Sequence, residues 1–144
     1  MSNDLMSWRK RALLICAAVS AIQSVGCEAD YAAPLPNGYS VVRTSADSIG
    51  VYGPRRTVER RHAYVAVTTC YAGPFVDGLD VAGEVIVGHA RRLSGSSGCE
   101  HLGYFVIESN TGEHWLELSK DEFDARCKAL GIVPDLKPPS YFKK

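Results

Sequence analysis

The sequence predicts an α+β fold: an antiparallel, curved β-sheet of five or six strands with one C-terminal helix packed on a face. Three observations predict it. Runs of β-branched and aromatic residues recur through the chain, separated by Gly, Pro, Asn and Asp. Asn110-Thr-Gly112 joins two of these runs as a hairpin turn. The segment with a full set of helix signals comes after the strands, which suits a sheet with a helix laid on one face.

The elements follow in order. Tyr39–Thr44 reads as a strand, Ser45–Ser48 as a turn, and Ile49–Tyr52 as the hairpin partner, weakened by Gly50. Gly53–Arg56 is a second turn. Tyr64–Tyr71 is a strong strand. Ala72–Asp80 reads as irregular, Glu84–His89 as a strand, and Ser94–Gly98 as a flexible loop tip. Gly103–Ser109 is a strand apolar on both faces at Tyr104–Ile107, which predicts a central position. Glu113–Leu118 returns beside it.

The helix has every local signal. Ser119 is the N-cap, Glu122 completes a capping box, and Leu118 and Phe123 form a hydrophobic staple around it. Phe123, Cys127 and Leu130 repeat at helical spacing and define one apolar face. Gly131 closes the helix and Ile132 can pack back on it. Pro134, Pro138 and Pro139 then end regular structure, leaving a basic tail at Lys143-Lys144.

The N-terminus carries a different message. Trp8-Arg9-Lys10-Arg11 is followed by the apolar run Ala12–Ile22, then by Gln23-Ser-Val-Gly-Cys27. A basic region, a short apolar region and small residues ahead of a cysteine make an export signal over residues 1–26. The apolar run would cover roughly 17 Å as a helix, too little for a hydrocarbon core of roughly 30 Å. Cleavage after Gly26 fits two processing routes. Ser24 and Gly26 satisfy an ordinary signal peptidase, while Ser24-Val25-Gly26-Cys27 resembles a lipobox in which Cys27 becomes the lipidated first residue. The lipobox match lacks the usual large aliphatic at Ser24; the lipidated reading is still the expected one. The expected location is the bacterial cell envelope or periplasm, with the membrane as a partner through an N-terminal lipid at Cys27. Residues 27–37, with Pro34 and Pro36, then read as an extended tether, and residues 38–144 as one domain.

Composition excludes several classes. The whole chain has 16 basic and 16 acidic residues; without Arg9, Lys10, Arg11 and Asp4 the remainder has two more acids than bases. No basic excess points to nucleic acid, and no acidic block points to disorder. Cys16 leaves with the signal. If Cys27 is lipidated, Cys70, Cys99 and Cys127 remain, and an exported compartment favours one bridge and one leftover thiol. If it is not, two bridges can form. The expected bridge is Cys70–Cys99, because both sit at strand ends beside loops and Cys127 falls on the helix face. Closing that loop would contribute roughly 3–4 kcal/mol in the chain-entropy model.

Candidate chemistry is sparse. Cys99-Glu-His101, with His89 and His114, falls short of the paired spacing of a zinc site, so no metal and no cofactor are expected. No Gly-x-Ser-x-Gly elbow is present, and Ser94-Gly-Ser-Ser-Gly98 lacks both the lysine and the helix of a phosphate loop. Asp121, Glu122 and Asp124 are explained by capping and the helix dipole. The densest cationic cluster is Arg55, Arg56, Arg60, Arg61 and His62, around a predicted turn, with Arg91 and Arg92 as candidates for a neighbouring strand end. Such a rim could meet a partner's carboxylates or, more simply, be a solvated edge balanced by Glu59.

Tyr104-Phe-Val-Ile-x-x-x-Thr111-Gly112, Leu118-Ser-x-x-Glu-Phe123 and Leu130-Gly131-Ile132, after the opening Leu35-Pro-Asn-Gly-Tyr39, resemble a pattern of small uncharacterised bacterial lipoproteins and secreted proteins. The resemblance covers about half of the chain after the signal. Its motifs are structural punctuation and carry no activity over. The expected function is a non-enzymatic binding or structural module of the cell envelope with an envelope protein as partner. The first alternative is a secreted inhibitor or immunity protein against an extracellular hydrolase or toxin, using Arg55–Arg61 or Ser94–Gly98 as the contact. The second is a small hydrolase using His89 or His101, which would need the two histidines to converge with a carboxylate in one pocket.

Overall fold

A computed structural model describes residues 30–61 and 63–144, with the backbone alone at residues 58–60 and 63–66. The signal segment 1–26, Cys27 and His62 lie outside the described residues. The strands are β1 Tyr31–Pro34, β2 Ser40–Ser45, β3 Ser48–Tyr52, β4 Arg56–Arg60, β5 Ala63–Val67, β6 Cys70–Ala72, β7 Phe75–Ala82, β8 Val85–Arg91, β9 Gly103–Glu108 and β10 His114–Leu118; the helix α1 is Lys120–Ala129. Short 3-10 turns cover Pro36–Gly38 and Pro139–Phe142. No helix among the described residues is long and apolar enough to cross a membrane.

The fold is mixed α+β, as expected, but the sheet is larger than five or six strands. An eight-stranded open sheet runs β1-β2-β3-β7-β8-β9-β10, with β6 also paired to β3; β4 and β5 form a separate two-stranded sheet. Pairing is antiparallel except at one place, where β3 meets β7 in parallel through Ile49 and Phe75. Beyond that point β7 takes a different neighbour: Leu79 exchanges both backbone hydrogen bonds with Lys137, at 2.9 and 2.8 Å. The C-terminal segment therefore occupies the seam that β3 leaves open.

Three differences from the sequence reading account for the larger sheet. The stretch 27–37 reads in sequence as an extended tether, and the chain is extended through Pro34 before Pro36 opens a 3-10 turn. That extended chain also pairs, since β1 aligns Ala32 with Val42 and Pro34 with Ser40, and it buries Ala33 and Leu35. An edge position tolerates Pro34, whose missing N–H would break an inner ladder. Tyr64–Tyr71 was expected as one strand, but the chain leaves the hairpin after Val67 and joins the main sheet at Cys70. Ala72–Asp80 was expected as irregular, yet Phe75–Ala82 is a strand of eight residues. A register shift between Val76 and Gly78 lets Val76 and Leu79 both reach full burial, breaking the strict alternation that marks a strand in sequence.

The sheet has two apolar faces. Its inner side gathers Phe105, Leu79, Ile86, Ile107, Val41 and Val51 into the larger cluster. Gly88 is fitted to that cluster: a Cβ there would come to 2.5 Å from the Phe105 ring and would also meet the Gly78 carbonyl, so only glycine leaves the ring its place. The outer side carries Val87 and Val106 beneath Phe123 and Cys127 of α1. The helix forms where its signals lie. The Glu122 carboxylate accepts the Ser119 N–H at 2.8 Å, and the Ser119 hydroxyl accepts the Glu122 N–H at 3.3 Å. At the other end the Ile132 N–H donates to the Cys127 carbonyl at 2.9 Å and the Gly131 N–H to Lys128 at 3.1 Å, with Gly131 at φ +69°.

A candidate binding groove beside a basic hairpin

The basic cluster lies on the β4–β5 ribbon, not around a turn alone. The register runs from Arg56 opposite Val67 to Arg60 opposite Ala63, with Arg61 at the tip in a left-handed conformation, φ +49°. Arg55, Arg56 and Arg61 are exposed, while the side chain of Arg60 and all of His62 lie outside what is described. At about 3.4 Å per residue the ribbon sets residues 56 and 60 roughly 14 Å apart. The expected single rim is therefore two pairs, Arg55 and Arg56 at the base and Arg60 and Arg61 at the tip. Arg91 and Arg92 do not add free charge to it, because they pair with Asp77 and Glu100.

The base of the ribbon opens onto a groove of about 500 Å³. Tyr39, just ahead of β2, and Tyr71, in β6, form one wall; Pro54 and Arg56 form another; the turn Ser109–Gly112 and His114 of β10 complete it. Each side chain is held in place. The Tyr39 and Tyr71 rings stand 5.5 Å apart and the His114 ring meets Tyr71 edge-on at 5.0 Å. Burial first, then the charge and hydrogen bond of Tyr71, push the Tyr39 hydroxyl above its ordinary value, against the opposing pull of the Arg56 guanidinium. Both tyrosines line the groove, and a phenolic hydroxyl can donate as well as accept. His114 Nδ1 lies 3.0 Å from the Gly112 carbonyl. A carbonyl can only accept, so Nδ1 carries the proton and Nε2 is left for another partner.

Two fastenings hold the groove. Asn37 Nδ2 donates to Ser109 Oγ at 2.8 Å, and that hydroxyl donates to the Glu84 carbonyl at 2.6 Å. Asn37 thus ties the opening Leu35-Pro-Asn-Gly-Tyr39 to the C-terminal hairpin. The expected disulfide Cys70–Cys99 is present, with Cα atoms 6.2 Å apart, and it anchors the residue next to Tyr71. Cys127 is free and buried, and burial pushes its thiol up. The loop Ser94–Gly98 is fastened as well, its Ser97 N–H donating to the buried Ser48 hydroxyl at 3.0 Å.

The two histidines of the hydrolase alternative stand on separate carboxylates. His89 Nδ1 is 2.7 Å from Asp77, whose other oxygen accepts from Arg91 Nε at 2.9 Å, and His101 Nδ1 is 3.3 Å from Glu117. Among the described residues no three His, Cys, Asp or Glu side chains form a metal-holding group.

Sequence reasoning singles out none of Tyr39, Tyr71 and Ser109 as site residues, and weighs His114 only as a metal ligand. They lie between 5 and 32 positions from their nearest neighbour in the set, and only the fold brings them together. The one available signal was the adjacency of Tyr71 to the bridging Cys70. No family model, curated protein or solved structure matches this chain.

Proposed function

We propose that the chain is an exported domain, held at the membrane by a lipid on Cys27, that serves as a non-enzymatic binding module of the cell envelope. Its partner is an envelope protein, engaged through the β4–β5 ribbon and the groove at its base. The observation that carries this reading is the position of Arg56, which belongs to the basic ribbon and also lines the groove beside Tyr39, Tyr71 and His114. A solvated edge would explain Arg55 and Arg61 equally well, but it gives no reason for a cation at the mouth of a walled groove. The separate histidine–carboxylate pairs give no support to a hydrolase.

The test is a pull-down from envelope extract with the wild type and with Arg55/Arg56/Arg60/Arg61→Ala. The variant is expected to lose the partner. Equal recovery of every protein by both forms would remove the ribbon and groove from the function. Mass spectrometry of the mature N-terminus tests the anchor: an intact Met1 on cytoplasmic protein overturns export, and an unmodified residue 27 or 28 overturns only the lipid.

A further inference from the structure

We infer that the groove between Arg56, Tyr71 and His114 is a carboxylate site, and that the partner enters it with a peptide carboxylate. This rests on the binding-module reading and names the group bound. Three facts converge. The Arg56 partner is neutral: Nη2 donates to Thr69 Oγ1 at 3.2 Å, which uses one of five guanidinium N–H groups. Tyr71, its ring 5.5 Å from that of Tyr39, lines the groove with a hydroxyl that can donate to an anion. His114 donates through Nδ1, so the neutral ring presents Nε2 as an acceptor, suited to an N–H of the chain that carries the carboxylate. The groove therefore offers one permanent cation and a neutral hydroxyl donor at a mouth that Pro54 and two tyrosine rings keep partly apolar.

The charge count selects the ligand. A single guanidinium fork matches a planar monoanion through two parallel hydrogen bonds, and a hydroxyl adds a third. A phosphate dianion would face one cation where it needs more. Three other arginines are already engaged, Arg91 by Asp77, Arg92 by Glu100, and Arg126 by the Trp115 ring at 4.0 Å, while Arg55 and Arg61 do not line the groove. The volume of about 500 Å³ suits a short stretch of chain around the carboxylate better than a lone ion. The carboxylate can come from an Asp or Glu side chain or from a chain terminus, and the probes below separate the two.

The experiment is an NMR titration of the full chain in detergent, following backbone signals of Thr111, Gly112 and His114. The probes are acetyl-Gly-Asp-Gly-amide, acetyl-Gly-Asn-Gly-amide, acetyl-Gly-Gly-Gly with a free terminus, and inorganic phosphate. Saturable shifts are expected with at least one carboxylate peptide and not with the Asn peptide; which one shifts the signals identifies the source. Arg56→Gln and Tyr71→Phe are each expected to weaken binding roughly tenfold or more, the loss typical of a hydrogen bond to a charged group. Lys128→Ala, which removes one charge from α1, should leave affinity within about twofold. Tyr71→Phe keeps the ring contacts with Tyr39 and His114, and unchanged signals of β8 and α1 in the same spectra separate a lost contact from a folding effect. Equal shifts with the Asn peptide, tighter binding of phosphate, no shift with either carboxylate, or unchanged affinity in both groove variants would each overturn the inference. If the peptides fail while the four-arginine variant still loses its partner, this inference falls and the binding-module reading stands. If the peptides bind and that variant keeps every partner, the reading falls instead.

Discussion

The two faces of the main sheet are covered by different means. The inner face is covered by the sheet's own strands and loops: β1, β2, β3, β6, β7, β8 and β9 all send residues into the cluster around Phe105. The outer face depends on one ten-residue helix, which lays Phe123 and Cys127 over Val87 and Val106 and leaves Trp115, Leu118 and Leu130 half-buried at the margin. The inner core is therefore held by contacts between distant parts of the chain, and the outer one by a local unit that caps itself at both ends. Polar chemistry follows the same division. His89, which lies against the Tyr104 ring at 4.5 Å, pairs with Asp77 on the thinly covered side, where water reaches both.

The largest expected effect tests that division directly. Phe105→Ala removes a ring that is 1% exposed and packs over Gly88, where seven strands fix the walls and little can collapse. It should cost in the upper part of about 3–5 kcal/mol. Phe123→Ala removes a ring equally buried, stacked on Tyr104 at 4.7 Å, but the helix above it can settle. Its cost should fall near the lower end of that range or beneath it. Denaturant unfolding of both variants measures the difference, and equal losses would break the comparison.

Removing the disulfide comes next. Cys70→Ser/Cys99→Ser frees a loop of 29 residues and should cost about 3.5 kcal/mol through the unfolded chain. Cys127 in the same protein reports on the outer face, because its thiol is buried and pushed up, by burial first and the Asp124 charge second. A thiol reagent should reach it through opening of α1, at lower denaturant than unfolds the inner cluster. Labelling that tracks global unfolding at every denaturant concentration would show that helix and sheet open as one.

The same division governs how much the sequence could disclose. The C-terminal hairpin and α1 were legible nearly residue by residue, since Ser119, Glu122, Gly131 and Ile132 each act on neighbours within five positions. The sheet was legible as a class and not in extent. β7 hides its alternation behind a register shift, Tyr64–Tyr71 divides between two sheets with no breaker more definite than Thr68-Thr69, and β1 looks like linker until Val41 and Val42 pair with it. The Cys70–Cys99 bridge was legible from strand ends and an odd thiol count. The groove was not, because it joins Tyr39, Tyr71 and His114 across 75 positions, which only the tertiary fold brings together.

The smallest effect sharpens the comparison most, because it acts on one face alone. The Glu122 carboxyl lies below its ordinary value because the Ser119 backbone N–H, and next its hydroxyl, donate to it. An acid depressed in the folded state contributes stability that is fully present above its unfolded value and is lost as pH falls through the folded value. The capping contribution should therefore hold from neutrality down to the ordinary value of 4.5 and fade below it. Ser119→Ala should cost about 1 kcal/mol at neutral pH. Glu122→Gln should remove the low-pH fading, since an amide does not titrate there. Hydrogen exchange of α1 and of β8, followed as pH falls, reads the two faces separately. Protection of α1, relative to β8 and corrected for intrinsic exchange, should decline in the wild type and stay level in Glu122→Gln. A parallel decline in β8 would mean that the helix and the sheet form one cooperative unit, and the outer face would then be part of the core instead of a layer on it.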